Sequence, residues 1–200
     1  MSTHEITIQA YDSYADNYDR AIIEFWDKFP KDFINLFAAS LQGKRVLNLG
    51  SGSGRDALLL RALGLEVVCV DASISMVNIT TQLGFETYHT SFRDMSFPQG
   101  SFDGIWAYGS LLHISRKEAA VLLEHIKSLL RPKGTCALGV IQGKGSALVG
   151  HSITPDAKRY FQYYTHQELI TLASRAGFTL LNSQEYDVGY DIFLNHLYCL

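Results

Sequence analysis

Arg45-Val-Leu-Asn-Leu-Gly-Ser-Gly-Ser-Gly-Arg-Asp56, continued by Glu66-Val-Val-Cys-Val-Asp71, is the stretch that decides the fold. Arg45 to Leu49 is a short apolar run ending in a glycine loop, and Ala57 to Leu63 then has helical spacing. Gly64 stops that helix at a left-handed cap, and Glu66 to Val70 is the next strand. Gly50, Gly52 and Gly54 keep side chains out of the loop, so backbone amides and a helix N-terminus can approach a polar or anionic ligand. Asp71 stands at the carboxyl end of the second strand, 21 residues past Gly50. That placement suits an acceptor for ribose hydroxyls, and equally a cap for a helix opening near Ser73.

The same rhythm runs outward. A helix is predicted over Ile74 to Leu83, then strands near Glu86 to His89 and over Ser101 to Ala107. Ser115 with Glu118 forms a capping box for a helix through Leu130, which Pro132 and Gly134 end, and Thr135 to Ile141 is a fifth strand. Thr165 with Glu168 caps a last helix that stops at Gly177, and Phe178 to Tyr186 and Ile192 to Cys199 read as a hairpin around Asp187-Val-Gly189. Alternating strands and helices predict an α/β, Rossmann-like, doubly wound and mostly parallel sheet of seven strands, with an antiparallel closing strand. Two helices, Ile6 to Trp26 and Lys31 to Leu41, precede it. Tyr11, Tyr14 and Tyr18 recur at helical spacing in the first, which fits either packing on the sheet edge or a lid over a ligand.

No repeat, low-complexity tract or linker divides the 200 residues, so one domain is expected. It comprises a helical cap over 1–42, a core over 43–140, an insertion over 141–164 and a closing helix and hairpin over 165–200. Apolar residues are 47% and charged residues 18% of the chain, enough for a substantial core. Seventeen Lys and Arg against twenty Asp and Glu leave a net charge of −3 and no basic surplus for nucleic acid or an anionic membrane. No apolar run reaches the roughly 18 residues that span a bilayer. The first residues lack the pattern of a secretory signal, so a cytoplasmic location is expected. Cys69, Cys136 and Cys199 lie far apart in apolar contexts and read as buried reduced thiols. His151, His166 and His196 have no ligand-like spacing, so no metal is expected. Oligomeric state is not encoded in any motif.

A dinucleotide fingerprint would need a third glycine at Arg55, and no P-loop is present, so nicotinamide and triphosphate readings are disfavoured. The run Val46 to Asp56 instead resembles motif I of class I S-adenosylmethionine-dependent methyltransferases. Val67 to Met76 resembles their second motif, and Phe92-Arg-Asp94-Met95 with Ser101 to Trp106 the third. Leu129 to Thr135 is similar to their turn into the fifth strand, and the subgroup resembled is the small bacterial type 11/25 enzymes. The resemblance implies that S-adenosylmethionine is the cofactor and a small molecule the methyl acceptor. It assigns the cofactor to Tyr18, Asn48, Gly50, Ser51, Gly52, Arg55, Asp71, Ala72, Met76, Asp94, Met95 and Tyr108. Within that set Asp71 would meet the ribose, Met76 would pack on adenine, and Asp94 would face the adenine amino group. The family usually carries Asp or Glu at position 48; Asn48 keeps an acceptor without the charge, which implies weaker cofactor binding. A weak or inactive binding protein of the same fold is therefore the second reading.

Methyl transfer from a sulfonium needs alignment more than activation. A base is required only for a protonated acceptor, and His113, after the fourth strand, is the candidate because imidazole ordinarily titrates near neutrality. The alternative is a buried histidine bonded to backbone. Arg55 is placed to reach a carboxylate of a ligand or to form an ion pair on the helix surface. The connection from Gln142 to Tyr164 is expected to be a long loop on the acceptor side, contributing Arg159 and Tyr163.

Overall fold

The structure is a computed structural model that describes residues 1–151 and 154–200. Residues 152 and 153, inside the expected insertion, and the side chains of Asp16, His151, Thr154 and Pro155 lie outside the described residues. Helices α1 (Thr3–Lys28) and α2 (Lys31–Ser40) lead into β1 (Arg45–Leu49), α3 (Arg55–Ala62), β2 (Glu66–Asp71), α4 (Ile74–Gln82), β3 (Glu86–His89) and β4 (Phe102–Tyr108). A short 3-10 turn, Leu111–His113, precedes α5 (Arg116–Leu129) and β5 (Leu130–Ile141). Then follow β6 (Ser146–His151), β7 (Thr154–Gln162), α6 (His166–Arg175), β8 (Thr179–Asp187) and β9 (Ile192–Cys199).

Seven strands form one sheet in the order β3-β2-β1-β4-β5-β9-β8. The pairs from β3 through β5 are parallel, and β9 lies antiparallel between β5 and β8. Successive residues of a strand point to opposite faces, and each face has its own core. Leu47, Val68, Val70, Ile105 and Leu138 pack on Leu123 and Ile126 of α5 and Leu169 and Ala173 of α6. On the other face Val46, Val67, Cys69, Trp106 and Ala137 pack on Phe33 and Phe37 of α2 and Leu60 of α3. Each such side chain buried from water contributes about 1.5–3 kcal/mol, which is why the near-continuous apolar runs of β1, β2 and β4 sit centrally.

The capping boxes of α5 and α6 form as the sequence predicts, with the Ser115 and Thr165 hydroxyls accepting from the amides of Glu118 and Glu168. A third one opens α1, where the Ser2 hydroxyl accepts from the Glu5 amide; it extends that helix beyond the expected Ile6 to Trp26. Tyr14 leaves helical geometry at φ −133°, kinking α1 in mid-course. Two expectations need correction. The fifth strand begins at Leu130, because Leu130 pairs with Phe102 before a ladder irregularity and Lys133 turns the chain at φ 64°. The insertion is no loop but an antiparallel β6–β7 pair, in which Val149 opposes Arg159 and Ala147 opposes Phe161. Period-two placement of Arg159 and Phe161 puts both on the face turned to the cavity described below.

Candidate functional site

The carboxyl ends of β1, β2 and β4 open into a cavity of about 300 Å³, roofed by α1 and flanked by β7. Its first wall is the glycine loop. Gly50 and Ser51 donate their amides to the Val70 carbonyl at 2.8 and 3.0 Å, which pins the loop over the end of β2. Gly50 has φ +71°, and a Cβ there would lie 2.4 Å from the Cβ of Ser110; Gly52 (φ +51°) faces open space instead. The Gly52 amide donates to Asp71 Oδ2 and the Ser73 amide to Asp71 Oδ1, both at 2.8 Å. Asp71 thus ties the loop to the start of α4 and still presents acceptor lone pairs at the cavity wall. Burial pushes its carboxyl above the usual range, partly offset by those amides. The cap reading and the ligand reading of Asp71 are therefore compatible in one geometry.

Behind the loop sits an arrangement that sequence inspection missed. The buried Asn48 donates its Nδ2 to Asp56 Oδ1 at 2.8 Å, and Trp106 Nε1 donates to Asp56 Oδ2 at 3.0 Å. Asp56 is 3% exposed and lines the cavity, and burial pushes its carboxyl up to about 6. A carboxylate, that of Asp56 at the start of α3, thus lies within hydrogen-bond reach of Asn48. Asn48 Oδ1 and Ser110 Oγ are buried without a hydrogen-bond partner among the described residues, and Ser110 lines the cavity. Buried orphans of this kind call for a polar ligand or water.

The other named residues divide. Tyr18, Ser51, Ala72, Met76 and Tyr108 line the cavity, and Tyr108 is fixed by its hydroxyl on Asn195 Oδ1 at 2.8 Å. Arg55 also lines it, but its guanidinium is spent on Asp19 of α1 in a two-pronged pair at 2.8 and 2.6 Å, which holds the Asp19 carboxyl below its usual range. Asp94 and Met95 do not reach the cavity. A turn closed on the Ser91 carbonyl faces Asp94 outward, where it accepts from Ser91 Oγ at 2.6 Å, and sends Met95 into the core. Thr90 and Phe92 line that part of the wall instead.

At the far end His113 is held at both ring nitrogens. Nδ1–H donates to the Tyr160 carbonyl at 2.7 Å, so Nε2 carries the lone pair and accepts from the Tyr11 hydroxyl at 2.7 Å. Burial pushes the imidazole down to about 3, so it stays neutral through the physiological range rather than titrating near 7. Arg159 donates to the same Tyr11 oxygen at 3.2 Å. Tyr163 lies outside the lining, covering Gly143 and stacking on Phe161 at 6.4 Å. The roof residues Phe25 and Trp26 and the β9 residue Phe193 line the cavity without having been singled out; only the aromatic spacing of α1 hinted at them.

A methyltransferase-domain profile matches residues 18–183, which is most of the chain and includes every strand of the sheet up to the middle of β8. The chain belongs to the methyltransferase-domain family. Its seven-stranded α/β sheet has the architecture of the class I S-adenosylmethionine-dependent members. The methyltransferase domain is similar to an O-methyltransferase of Aspergillus sclerotiorum, 26% identical over 72% of this chain. The chain spans 58% of that relative's length. Among solved structures it is similar to the 1,6-didemethyltoxoflavin-N1-methyltransferase of Burkholderia thailandensis, at a TM-score of 0.77 and 24% identity, covering 100% of this chain and 90% of the other. It is also similar to the magnesium protoporphyrin IX methyltransferase of Synechocystis, at a TM-score of 0.74 and 15% identity, covering 100% and 97%. No helix among the described residues is long and apolar enough to cross a membrane.

Proposed function

We propose that the chain transfers a methyl group from S-adenosylmethionine to a small-molecule acceptor. The observation that carries this is the continuity of one cavity, from the Gly50–Gly52 loop and Asp71 at one end to Tyr11 and His113 at the other. The structures named above support it, one with 1,6-didemethyltoxoflavin and S-adenosylhomocysteine bound and the other with S-adenosylmethionine. The Gly50 to Asp56 and Leu129 to Thr135 motifs support the narrower kinship with small bacterial type 11/25 enzymes.

S-adenosylmethionine, when bound, supplies a methyl group already activated on a sulfonium. Asp71 would hold the ribose hydroxyls and Met76 the adenine face, while Ser110 Oγ offers the polar ligand its missing partner. Asp56 restores a carboxylate to the motif I corner, so Asn48 does not argue for an inactive protein. His113 is a positioning residue here: its lone pair fixes the direction of the Tyr11 hydroxyl, and its own proton is committed to Tyr160. α1 and β7 wall the acceptor end.

A thermal-shift panel of S-adenosylmethionine, S-adenosylhomocysteine, NAD and ATP tests the reading. A ligand at 100 times its Kd adds about 2.7 kcal/mol, a rise of roughly 5–10 °C for a chain of this size. The two sulfur ligands are expected to give that shift. A shift with NAD and none with either sulfur ligand would overturn the proposal.

A further inference from the structure

Arg159 is an arginine in an unusual position. Its side chain lines the cavity although the residue is only 8% exposed. Its guanidinium carbon stands 5.3 Å from the Tyr11 ring, 5.7 Å from that of Tyr18 and 5.2 Å from that of Phe161. Its hydrogen bond to the Tyr11 oxygen uses only part of the donor capacity of a guanidinium. Among the described residues no carboxylate lies within ion-pair distance of it, although Asp56, Asp71 and Asp191 line the same cavity. A buried cation is costly unless it is paired. Three aromatic faces recover part of that cost, and among the described residues the guanidinium's hydrogen bond is the one to Tyr11, at the cavity wall.

We infer that Arg159 is the docking point for a negatively charged group on the methyl acceptor, and that the acceptor is a flat conjugated acid whose ring lies among Tyr11, Tyr18 and Phe161. The inference rests on the methyl-transfer reading above, which assigns this end of the cavity to the acceptor. A carboxylate, phenolate or enolate would accept paired N–H donors from a guanidinium that lines the cavity, and Arg suits such planar groups better than Lys does. The neighbouring imidazole agrees with this. His113 has its Nε2 lone pair occupied by Tyr11 and is held neutral by burial, a poor arrangement for stripping a proton from a neutral hydroxyl. An acceptor that arrives ionised needs no such base. The partner on β6 opposite Arg159 is Val149, so the cation is not there to hold the hairpin together by charge.

The test uses two molecules of one shape, 2-naphthoate and its neutral amide, 2-naphthamide. The full chain is first titrated calorimetrically with S-adenosylhomocysteine and then, saturated with it, with each probe. The acid is expected to bind roughly 10- to 100-fold tighter than the amide. Arg159→Gln should erase that preference and leave the affinity for S-adenosylhomocysteine unchanged, and Arg159→Lys should keep part of the preference. Equal binding of acid and amide to the wild type overturns the inference, as does a preference that survives in Arg159→Gln. The first titration separates the two proposals: no heat with S-adenosylhomocysteine defeats the methyl-transfer reading, whereas the acid preference is read from the probes alone.

Discussion

The glycine-loop end of the cavity is made by Leu49 to Asp71, one strand–loop–helix–strand unit, whereas the opposite end joins Tyr11, His113 and Arg159 from three separate parts of the chain. The first end works with backbone: amides of Gly50, Ser51 and Gly52 and a carboxylate that collects them. The second works with side chains, a phenol, an imidazole and a guanidinium within one hydrogen-bonded chain that ends on the Tyr160 carbonyl. The charges are divided too. Asp56 and Asp71 stand at the loop end, and Arg159 stands at the other. A backbone cradle is fixed by local geometry and suits an unchanging cofactor. A side-chain cluster carried on a roof helix and a hairpin can be altered residue by residue, which suits a variable acceptor.

The largest effect expected is at the loop. Gly50→Val places a branched side chain at φ +71° against Ser110, with overpacking of about 1–3 kcal/mol and left-handed strain of about 1–2 kcal/mol. Gly52→Ala meets no neighbour and should suffer the strain alone. Urea unfolding of the two variants measures the difference. Equal losses would mean that close approach to Ser110 does not constrain this end.

Protonation distinguishes the ends by sign. The Asp56 carboxyl is raised from 3.8 to about 6, so its contribution to stability is full below 3.8 and is lost as pH rises through 6. It amounts to about 3 kcal/mol. The His113 imidazole is lowered from 6.5 to about 3, so its contribution is full above 6.5 and is lost as pH falls toward 3. Stability profiles between pH 4 and 7 should therefore move in opposite directions. Relative to wild type, Asp56→Asn loses the gain on acidification, and His113→Gln loses the penalty. The slopes are the readout, since either variant also gives up a buried hydrogen bond. Slopes of one sign in both variants would break the contrast.

Asp71→Ala removes the acceptor shared by Gly52 and Ser73 and should weaken binding of S-adenosylhomocysteine by about 1.5–3 kcal/mol. Asp94→Ala should change it by less than about 0.5 kcal/mol, because the Asp94 side chain is exposed and turned away from the cavity. Calorimetric titration of both variants ranks them. An Asp94 loss matching that of Asp71 would put the third motif at the ligand after all.

Much of this was legible in the chain. The order of strands and helices, the glycine loop and Asp71 follow from apolar periodicity and short-range spacing, which depend on neighbours along the sequence. Hydrogen bonding within a few residues likewise makes the two capping boxes readable. Short range also has limits. Asp94 and Met95 sit in a motif of the right composition, yet a single turn on Ser91 faces one outward and buries the other. The loop expected over 141–164 is a strand pair because Val149 and Arg159 find each other across the hairpin, a register that no local pattern announces.

By itself, then, the sequence determined a doubly wound α/β sheet, a nucleoside-type loop with its acid, and the family. The tertiary structure alone decided that Asp56 meets Asn48, that Arg55 is taken by Asp19, and that Tyr11, His113 and Arg159 converge. The division has a physical reason. Backbone conformation is set by steric and hydrogen-bonding terms that act over a few residues, whereas the partner of a buried charge is set by packing between segments far apart in the chain, and the desolvation that shifts Asp56 and His113 exists only once those segments have closed.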